Sequence, residues 1–192
     1  MDEIKSKLND KRLVCFSEHL VAWMVTNEVP PKVLQKMKEC YLQFEKDYQS
    51  LVKRNPDPIE RAKLFQSGLD YIIKHELSTH KPSCKLGCSH CCDLTVAATN
   101  DEMKLIEQYV KENNLKVNQT PKKCLYLKDN SCQIYDIRPG ACRKYFSVDD
   151  PIKCSDSNDN GTVLKPMLLE SELCWSAVVT VVGSTHIHLL GR

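Results

Sequence analysis

The sequence predicts a mainly helical α+β protein, in which a helical N-terminal region packs on a small cysteine-rich domain with a short β-hairpin. Two observations support this fold class. Apolar residues recur at helical spacing between prolines in the first part of the chain, and eight cysteines crowd into residues 84–154. The length of 192 residues and the hydrophobic content of 42% allow one domain with a moderate core.

Apolar periodicity predicts three helices before residue 82. The first covers residues 14–26, and the second starts at Pro31, because proline suits a first helical turn. The Asn-Pro-Asp-Pro segment at residues 55–58 stops the second helix, and the third runs from about Pro58 to about Glu76. The residues predicted to face inward on the second helix are Val33, Met37, Tyr41, Phe44, Tyr48 and Leu51. Those predicted on the third are Ile59, Ala62, Phe65, Leu69, Ile72, Ile73 and Leu77.

Two further helices are predicted in the later part of the chain. Thr99 and Glu102 have the spacing of a capping box, which opens a helix through about Glu112. The apolar stretch at residues 167–182, which Gly183 breaks, predicts a C-terminal helix over its first part.

A hairpin and a turn are predicted between these helices. The short apolar runs at residues 125–127 and 132–134 flank polar residues 128–131, a pattern typical of a hairpin. The Arg-Pro-Gly segment at residues 138–140 predicts a turn. The predicted organisation is therefore a helical region over residues 1–82, a cysteine-cluster domain over 83–160, and a C-terminal helix and tail over 161–192.

Charge and hydropathy argue against nucleic acid and membrane as partners. Lysine plus arginine number 27 and aspartate plus glutamate 25, so the net charge of +2 gives little attraction to polyanions. The N-terminus has no apolar segment typical of a secretory signal. The longest apolar run, residues 177–182, is far shorter than the ~20 residues that span a bilayer. We therefore expect a cytoplasmic protein.

The content of 11 cysteines is the unusual feature of the composition. In a reducing cytosol dense cysteine indicates metal binding or catalysis rather than disulfides, and an odd count would leave one thiol outside a disulfide framework. Cys15, Cys40 and Cys174 each stand alone in an apolar helical pattern and are expected in the core. The candidate metal ligands are the other eight: Cys84, Cys88, Cys91, Cys92, Cys124, Cys132, Cys142 and Cys154.

The densest cysteine segment is residues 84–92, which carries four thiols. If it is helical, the four share one face. If it is a loop, Cys88 and Cys91 form a two-ligand knuckle, and Gly87 lets the backbone wrap around an ion. The adjacent pair, Cys91 and Cys92, is predicted to serve two metal centres, or one centre with the second thiol in a supporting role. Thiolates are soft ligands that select zinc, iron–sulfur or copper(I).

Four other residues are candidates for supporting the ligands. His90 lies within the cysteine segment and is a candidate ligand or support. Tyr135 is expected either to hydrogen-bond a sulfur or to pack. Arg138 and Arg143 flank Cys142 and are expected to stabilise anionic thiolates or to capture a carboxylate or phosphate. The alternative for Arg138 is that it braces the turn by donating to backbone carbonyls.

Three patterns carry a resemblance to a known family. They are Cys-x3-Cys-x2-Cys-Cys at residues 84–92, Cys-Leu-Tyr-Leu at 124–127, and Cys-x-Ile-Tyr-x-x-Arg-Pro-x-x-Cys-Arg at 132–143. The chain resembles the CxxCxxCC cysteine-cluster family (YkgJ-type), in which Leu125 is usually a proline. The resemblance implies a zinc- or iron-chelating domain. Some members of that family are related to flagellin lysine N-methylases, and others are labelled iron–sulfur oxidoreductases.

The residues and the resemblance together leave three functional hypotheses. The first is a module that binds an iron–sulfur cluster, zinc or both, in metal handling or redox; the paired cysteines and the eight thiols favour iron–sulfur. The second is a methylase-like enzyme that uses S-adenosylmethionine, although the chain lacks a Gly-x-Gly loop and the length of the methylases. The third is a structural zinc module whose N-terminal helices hold a protein partner. We expect metal to nucleate the cysteine domain, with at least four sulfurs within ligand distance.

Overall fold

The computed structural model describes residues 30–77, 82–84, 87–93, 96–118, 123–145 and 169–186. In this part of the chain the fold is mainly helical, as the sequence predicts, and has two small antiparallel sheets of two strands each, of which the sequence predicts only the hairpin. The helix predicted over residues 14–26 lies outside the described residues, as do Cys15 and Cys154. None of the described helices has the length and apolar character needed to cross a membrane.

The two long helices of the N-terminal region begin and end where the sequence predicts. Helix α1 spans Pro31–Arg54 and helix α2 spans Pro58–Glu76, each with a proline in its first turn. The carboxylate of Asp57 caps α2 by accepting the N–H of Ile59 at 2.9 Å. These boundaries follow from local chemistry, because proline and a capping carboxylate act within one turn.

Strand β1 (Ala97–Thr99) leads directly into helix α3 (Asn100–Glu112). The predicted capping box is present: the Thr99 hydroxyl accepts the N–H of Glu102, and the Glu102 carboxylate accepts the N–H of Thr99. Helix α3 packs on α2 through a buried ion pair in which Arg61 donates to Asp101 at 2.7 Å.

The hairpin consists of β2 (Leu127–Lys128) and β3 (Ser131–Cys132). Asp129 and Asn130 connect them with φ of 49° and 57°, so both central residues of the turn are left-handed. This is the two-residue turn that matches the twist of paired strands. Leu127 stands opposite Cys132, which fixes that cysteine at the end of the second strand.

The predicted turn at residues 138–140 is an extended segment that runs into a short helix. A single 3-10 turn, Tyr135–Ile137, precedes it, and Pro139 has φ −56° and ψ 155°. Helix α4 (Gly140–Arg143) follows and carries Cys142. Gly140 lies against the long helices, because a Cβ there would stand 2.8 Å from Leu69 Cδ2 and 2.9 Å from Trp175 Cδ1.

Helix α5 (Leu169–Val182) closes the core, and Gly183 ends it with φ 76°. Strand β4 (Ser184–His186) then pairs with β1. The main core cluster draws on α1, α2 and α5, with Cys84 and Cys174 packed against it; its buried members are Tyr48, Phe65, Leu69, Ile73 and Val178. A second, smaller cluster lies within the cysteine-rich region; its buried members are Ala98, Ile106, Tyr126 and Ile134.

One residue of the predicted inward stripe on α1 is misplaced. Met37, Tyr41 and Tyr48 are buried as predicted, but Val33 is 41% exposed. The Tyr41 hydroxyl bonds that of Thr180 at 2.7 Å, only two residues before α5 ends. Val33 lies in the first turn of α1, about two turns before this contact, and helical spacing alone does not show whether another element covers that turn.

Candidate metal centre

The cysteine segment at residues 84–92 is not a continuous helix. Gly87 has φ 91°, a left-handed conformation that glycine adopts without strain. A 3-10 turn over His90–Asp93 then carries Cys91 and Cys92, and Cys92 donates its N–H to the carbonyl of Ser89 at 2.9 Å. Of the two predicted forms, the structure therefore has the loop.

Other parts of the fold bring further cysteines beside this loop. The N–H of Cys124 donates to the carbonyl of Cys92 at 2.8 Å, which ties two distant segments together. The hairpin supplies Cys132 and α4 supplies Cys142. The electrostatic influence of Cys91 reaches Cys92, these three thiols and also Cys88, which forms a separate hydrogen-bonded pair with Cys84. We call Cys91, Cys92, Cys124, Cys132 and Cys142 the Cys91 group.

Three cysteines each accept a local hydrogen bond of the same kind. The sulfurs of Cys88, Cys124 and Cys132 each accept a backbone N–H from the residue two positions later. The donors are those of His90, Tyr126 and Ile134. A backbone N–H that points at sulfur favours the thiolate and lowers the thiol pKa. The loop, the residues before the hairpin and the hairpin therefore present their sulfurs in the same way.

In the metal-free protein, burial opposes the effect of these hydrogen bonds on the thiol pKa. It raises the pKa of Cys124 to about 11, and it raises that of Cys132 as well. Cys142 is only partly buried as a residue, but its thiol is shielded from solvent, which raises its pKa well above the ordinary value. Nearby thiols add to the effect, because each would repel a second negative charge. These thiols therefore keep their protons at neutral pH until something replaces them.

Two pairs of thiols in the described part of the chain are joined by hydrogen bonds, Cys91 with Cys92 and Cys84 with Cys88. A hydrogen bond to Cys91 is the largest cause of the raised pKa of Cys92, and Cys84 and Cys88 are also hydrogen-bonded. Among the described residues, no group of three or more histidine, cysteine, aspartate or glutamate side chains is arranged to hold a metal ion. The predicted convergence of four sulfurs within ligand distance is therefore not seen there.

Arg143 braces the segment that leads to Cys142. Its guanidinium donates to the carbonyl of Arg138 at 2.8 Å, to that of Asp136, and to Gln66 Oε1 at 3.0 Å. It also pairs with Asp70 on α2 at 2.6 Å. The bracing role that the sequence suggested for Arg138 thus belongs to Arg143.

The positive charge of Arg138 acts on the sulfurs of nearby cysteines. Its guanidinium carbon lies 4.2 Å from the centroid of the Tyr135 ring, so Tyr135 packs against it. Its positive charge lowers the pKa of Cys132 and Cys142, although burial raises both more strongly. The Nε of Arg138 is buried with no hydrogen-bond partner among the described atoms. This arrangement fits the predicted stabilisation of thiolates.

Glu102 has a second role that its place in the capping box does not predict. Its carboxylate is fully buried and accepts the N–H of Gly140, the first residue of α4, at 2.6 Å. It also accepts Gln66 Nε2 at 3.3 Å. The signal that could have suggested this role is weak: the capping-box residue stands in a helix turn that also carries a second acid, Asp101.

The spacing of the cysteines and the Arg-Pro-x-x-Cys-Arg segment agree with a known family model. Residues 83–165 match the CxxCxxCC family. That family is described as a candidate zinc- or iron-chelating domain. The match covers less than half of the chain but includes all eight candidate ligands, among them Cys154. No curated protein and no solved structure matches the chain.

Two described cysteines lie on long helices outside the CxxCxxCC segment. Cys40 lies on α1 and Cys174 on α5, both partly buried. Cys174 packs against the main core cluster, as predicted for a core residue. Replacing either of them removes a thiol that is not a candidate ligand, which is the control for replacing one that is.

Proposed function

We propose that the CxxCxxCC segment is a thiolate metal-binding module, with the Cys91 group as the main ligand set and an iron–sulfur cluster as the preferred occupant. The observation that carries this proposal is that cysteines from separate segments meet beside the Cys91 loop, where the N–H of Cys124 donates to the carbonyl of Cys92 at 2.8 Å and the hairpin and α4 supply Cys132 and Cys142. Cysteines that only fill a core need no such meeting of distant segments.

The donor chemistry of the group fits a soft metal centre. Thiolate is the ligand form, and backbone N–H groups already point at the sulfurs of Cys88, Cys124 and Cys132. Arg138 adds a positive charge that favours the thiolates of Cys132 and Cys142. Binding then requires the thiols to lose their protons and to turn from their paired hydrogen bonds towards a common centre.

The adjacent pair, Cys91 and Cys92, favours an iron–sulfur cluster over a single zinc ion. Neighbouring side chains do not easily occupy two corners of one zinc tetrahedron, whereas a cluster offers several metal atoms. A bound iron–sulfur cluster would supply one-electron redox chemistry, whereas a closed zinc site would supply only folding energy. The preferred function is therefore redox or metal handling.

The test is anaerobic purification of the full chain, followed by iron, zinc and acid-labile sulfide analysis and a visible spectrum. We expect iron with sulfide and a broad visible absorption, and the same result for Cys40→Ser, which removes a thiol from α1. Stoichiometric zinc without colour would support the metal-binding module and contradict the iron–sulfur assignment. A protein that binds neither metal, even after reconstitution with iron and sulfide or with zinc, would contradict the proposal as a whole.

A further inference from the structure

The two oxygens of Glu102 perform different tasks. Oε2 accepts the N–H and the hydroxyl of Thr99, both at 3.0 Å, which completes the capping box of α3. Oε1 accepts the N–H of Gly140 at 2.6 Å and Gln66 Nε2 at 3.3 Å. A capping box requires only the first oxygen. The second oxygen therefore binds α3 to the first residue of α4, which lies 38 residues away.

Helix α4 has little of its own to fix its position. It spans only Gly140–Arg143, so its internal hydrogen bonds cannot hold Cys142 in one place. Its N-terminal N–H groups lack partners within the helix, and a buried carboxylate is a strong acceptor for one of them. Glu102 thus anchors α4 at its first residue, two positions before Cys142.

Gln66 on α2 extends the same anchor to the preceding segment. Its Nε2 reaches the carbonyls of Ile137 and Arg138, both at 3.2 Å, as well as Glu102. Its Oε1 accepts the guanidinium of Arg143 at 3.0 Å. The residues on both sides of Cys142 are therefore held to α2 and α3 through Gln66 and Glu102.

From this geometry we infer that Glu102 is a positioning residue for the metal ligand Cys142, acting through the backbone N–H of Gly140. The inference rests on the proposed metal-binding function and extends it to a residue of the helical scaffold. Partners outside the coordination shell that fix a ligand's orientation typically affect metal affinity by ~10–100-fold. Loss of the Oε1 contacts should therefore weaken metal binding even where the protein remains folded.

Asp101, the neighbour of Glu102, provides a matched control. It is also buried, and its carboxylate accepts Arg61 at 2.7 Å and the Tyr48 hydroxyl at 3.0 Å. These contacts join α3 to α1 and α2 and do not involve α4. Asp101→Asn should therefore lower stability without moving Cys142.

The test is titration of the full, reduced, metal-free chain with cobalt(II) alone. Wild type, Glu102→Met, Glu102→Gln and Asp101→Asn are compared at a temperature at which circular dichroism shows each to be folded. The readouts are the cobalt dissociation constant and the thiolate-to-cobalt charge-transfer absorption per bound ion. Glu102→Met keeps the side-chain length but removes both acceptors. Glu102→Gln can keep one acceptor towards Gly140 and turn its amide towards the Thr99 hydroxyl.

We expect Glu102→Met to weaken cobalt binding by about tenfold or more and to change the charge-transfer absorption. Glu102→Gln should recover most of the affinity, and Asp101→Asn should retain wild-type binding despite a lower unfolding midpoint. If Glu102→Met does not fold, Gln66→Met, which removes the bonds to the carbonyls of Ile137 and Arg138, should weaken binding in the same direction.

Two results would overturn the inference. One is a wild-type dissociation constant and spectrum in the folded Glu102→Met protein, or in Gln66→Met if only that variant folds. The other is an equal loss of affinity in Asp101→Asn, which would show a general effect of destabilisation. If the wild-type chain does not bind cobalt, the same variants are compared by iron and sulfide content after reconstitution, with the same expected order. Failure of the wild-type chain in both experiments and with zinc would instead contradict the proposed function, and the positioning role with it.

Discussion

At the scale of single residues, the two arginines beside Cys142 contact different kinds of group. Arg143 donates to backbone carbonyls and to Gln66, whereas Arg138 lies over Tyr135 and acts on Cys132 and Cys142 through its charge. The sequence could identify both as candidates because they flank a cysteine. It could not separate their roles, because those depend on α2 and on side chains distant in the chain.

Replacement of Arg138 tests its electrostatic role. Arg138→Met removes the charge and keeps much of the length, so the thiolates of Cys132 and Cys142 lose a stabilising cation. We expect metal affinity at neutral pH to fall by about tenfold, and Arg138→Lys to lose less because it retains the charge. Competition titration with a chelator measures the affinities. Equal affinities for Arg138→Met and the wild type would rule out the electrostatic role.

Replacement of Arg143 should instead affect folding. Arg143→Met leaves the carbonyls of Asp136 and Arg138 and the Gln66 oxygen without their donor, which should cost about 1–3 kcal/mol of unfolding free energy. The exposed partner Asp70 contributes little to this figure, because solvent screens an exposed ion pair. Urea unfolding of the metal-free proteins measures the loss. A smaller loss for Arg143→Met than for Arg138→Met would contradict the bracing role.

At the scale of elements, the helix boundaries could be predicted because their signals are local. Pro31, Pro58 and the Thr99 capping box each act within one turn of the residues they order. The exposure of Val33 could not be predicted, because it depends on which elements pack against the first turn of α1. The second role of Glu102 could not be predicted either, because its partner Gly140 comes from a distant segment that the chain must first fold to reach.

Two glycines on neighbouring elements provide opposite predictions. A Cβ at Gly140 would lie 2.8 Å from Leu69 and 2.9 Å from Trp175, so Gly140→Ala should destabilise the protein by about 1–3 kcal/mol. A Cβ at Gly68, in the exposed middle of α2, meets nothing within 4 Å. Gly68→Ala should therefore stabilise by about 0.5–1 kcal/mol through helix propensity. Thermal and urea unfolding measure both changes, and equal effects of the same sign would contradict the close packing of α4.

At the scale of the whole molecule, the raised thiol pKa values predict how stability depends on pH. An unfolded thiol titrates near ~8.5, whereas burial raises the pKa of folded Cys124 to about 11, with Cys132 and Cys142 also raised. Between these values the unfolded chain has released protons that the folded chain still holds, so rising pH favours unfolding. The contribution of these thiols to the unfolding free energy of the metal-free protein should be fully present below ~pH 8.5 and should be lost progressively towards pH 11.

Urea unfolding under reducing conditions, at several pH values across this window, measures that loss. The metal-loaded protein is the control, because its ligand thiols have already released their protons and should not add to the pH dependence. A metal-free stability that rises between ~pH 8.5 and ~11 would contradict the inward placement of these thiols.

The whole fold determines which of the candidate ligand cysteines lie close together. The CxxCxxCC pattern identifies eight candidate ligands, and the fold brings four of them (Cys92, Cys124, Cys132 and Cys142) near Cys91, with Cys84 and Cys88 paired beside them. Cys91 influences thiols that are distant from it in the sequence, because the hairpin and α4 approach it only in the folded chain.

The most direct test of the account is the metal content of Cys91→Ser compared with Cys174→Ser and the wild type, each purified anaerobically as the full chain and reconstituted under the same conditions. Both substitutions replace one partly buried thiol by a hydroxyl. The account predicts that Cys91→Ser loses most of its bound metal while Cys174→Ser retains the wild-type content. Equal metal content in all three folded proteins would contradict the assignment of Cys91 as the centre of the site.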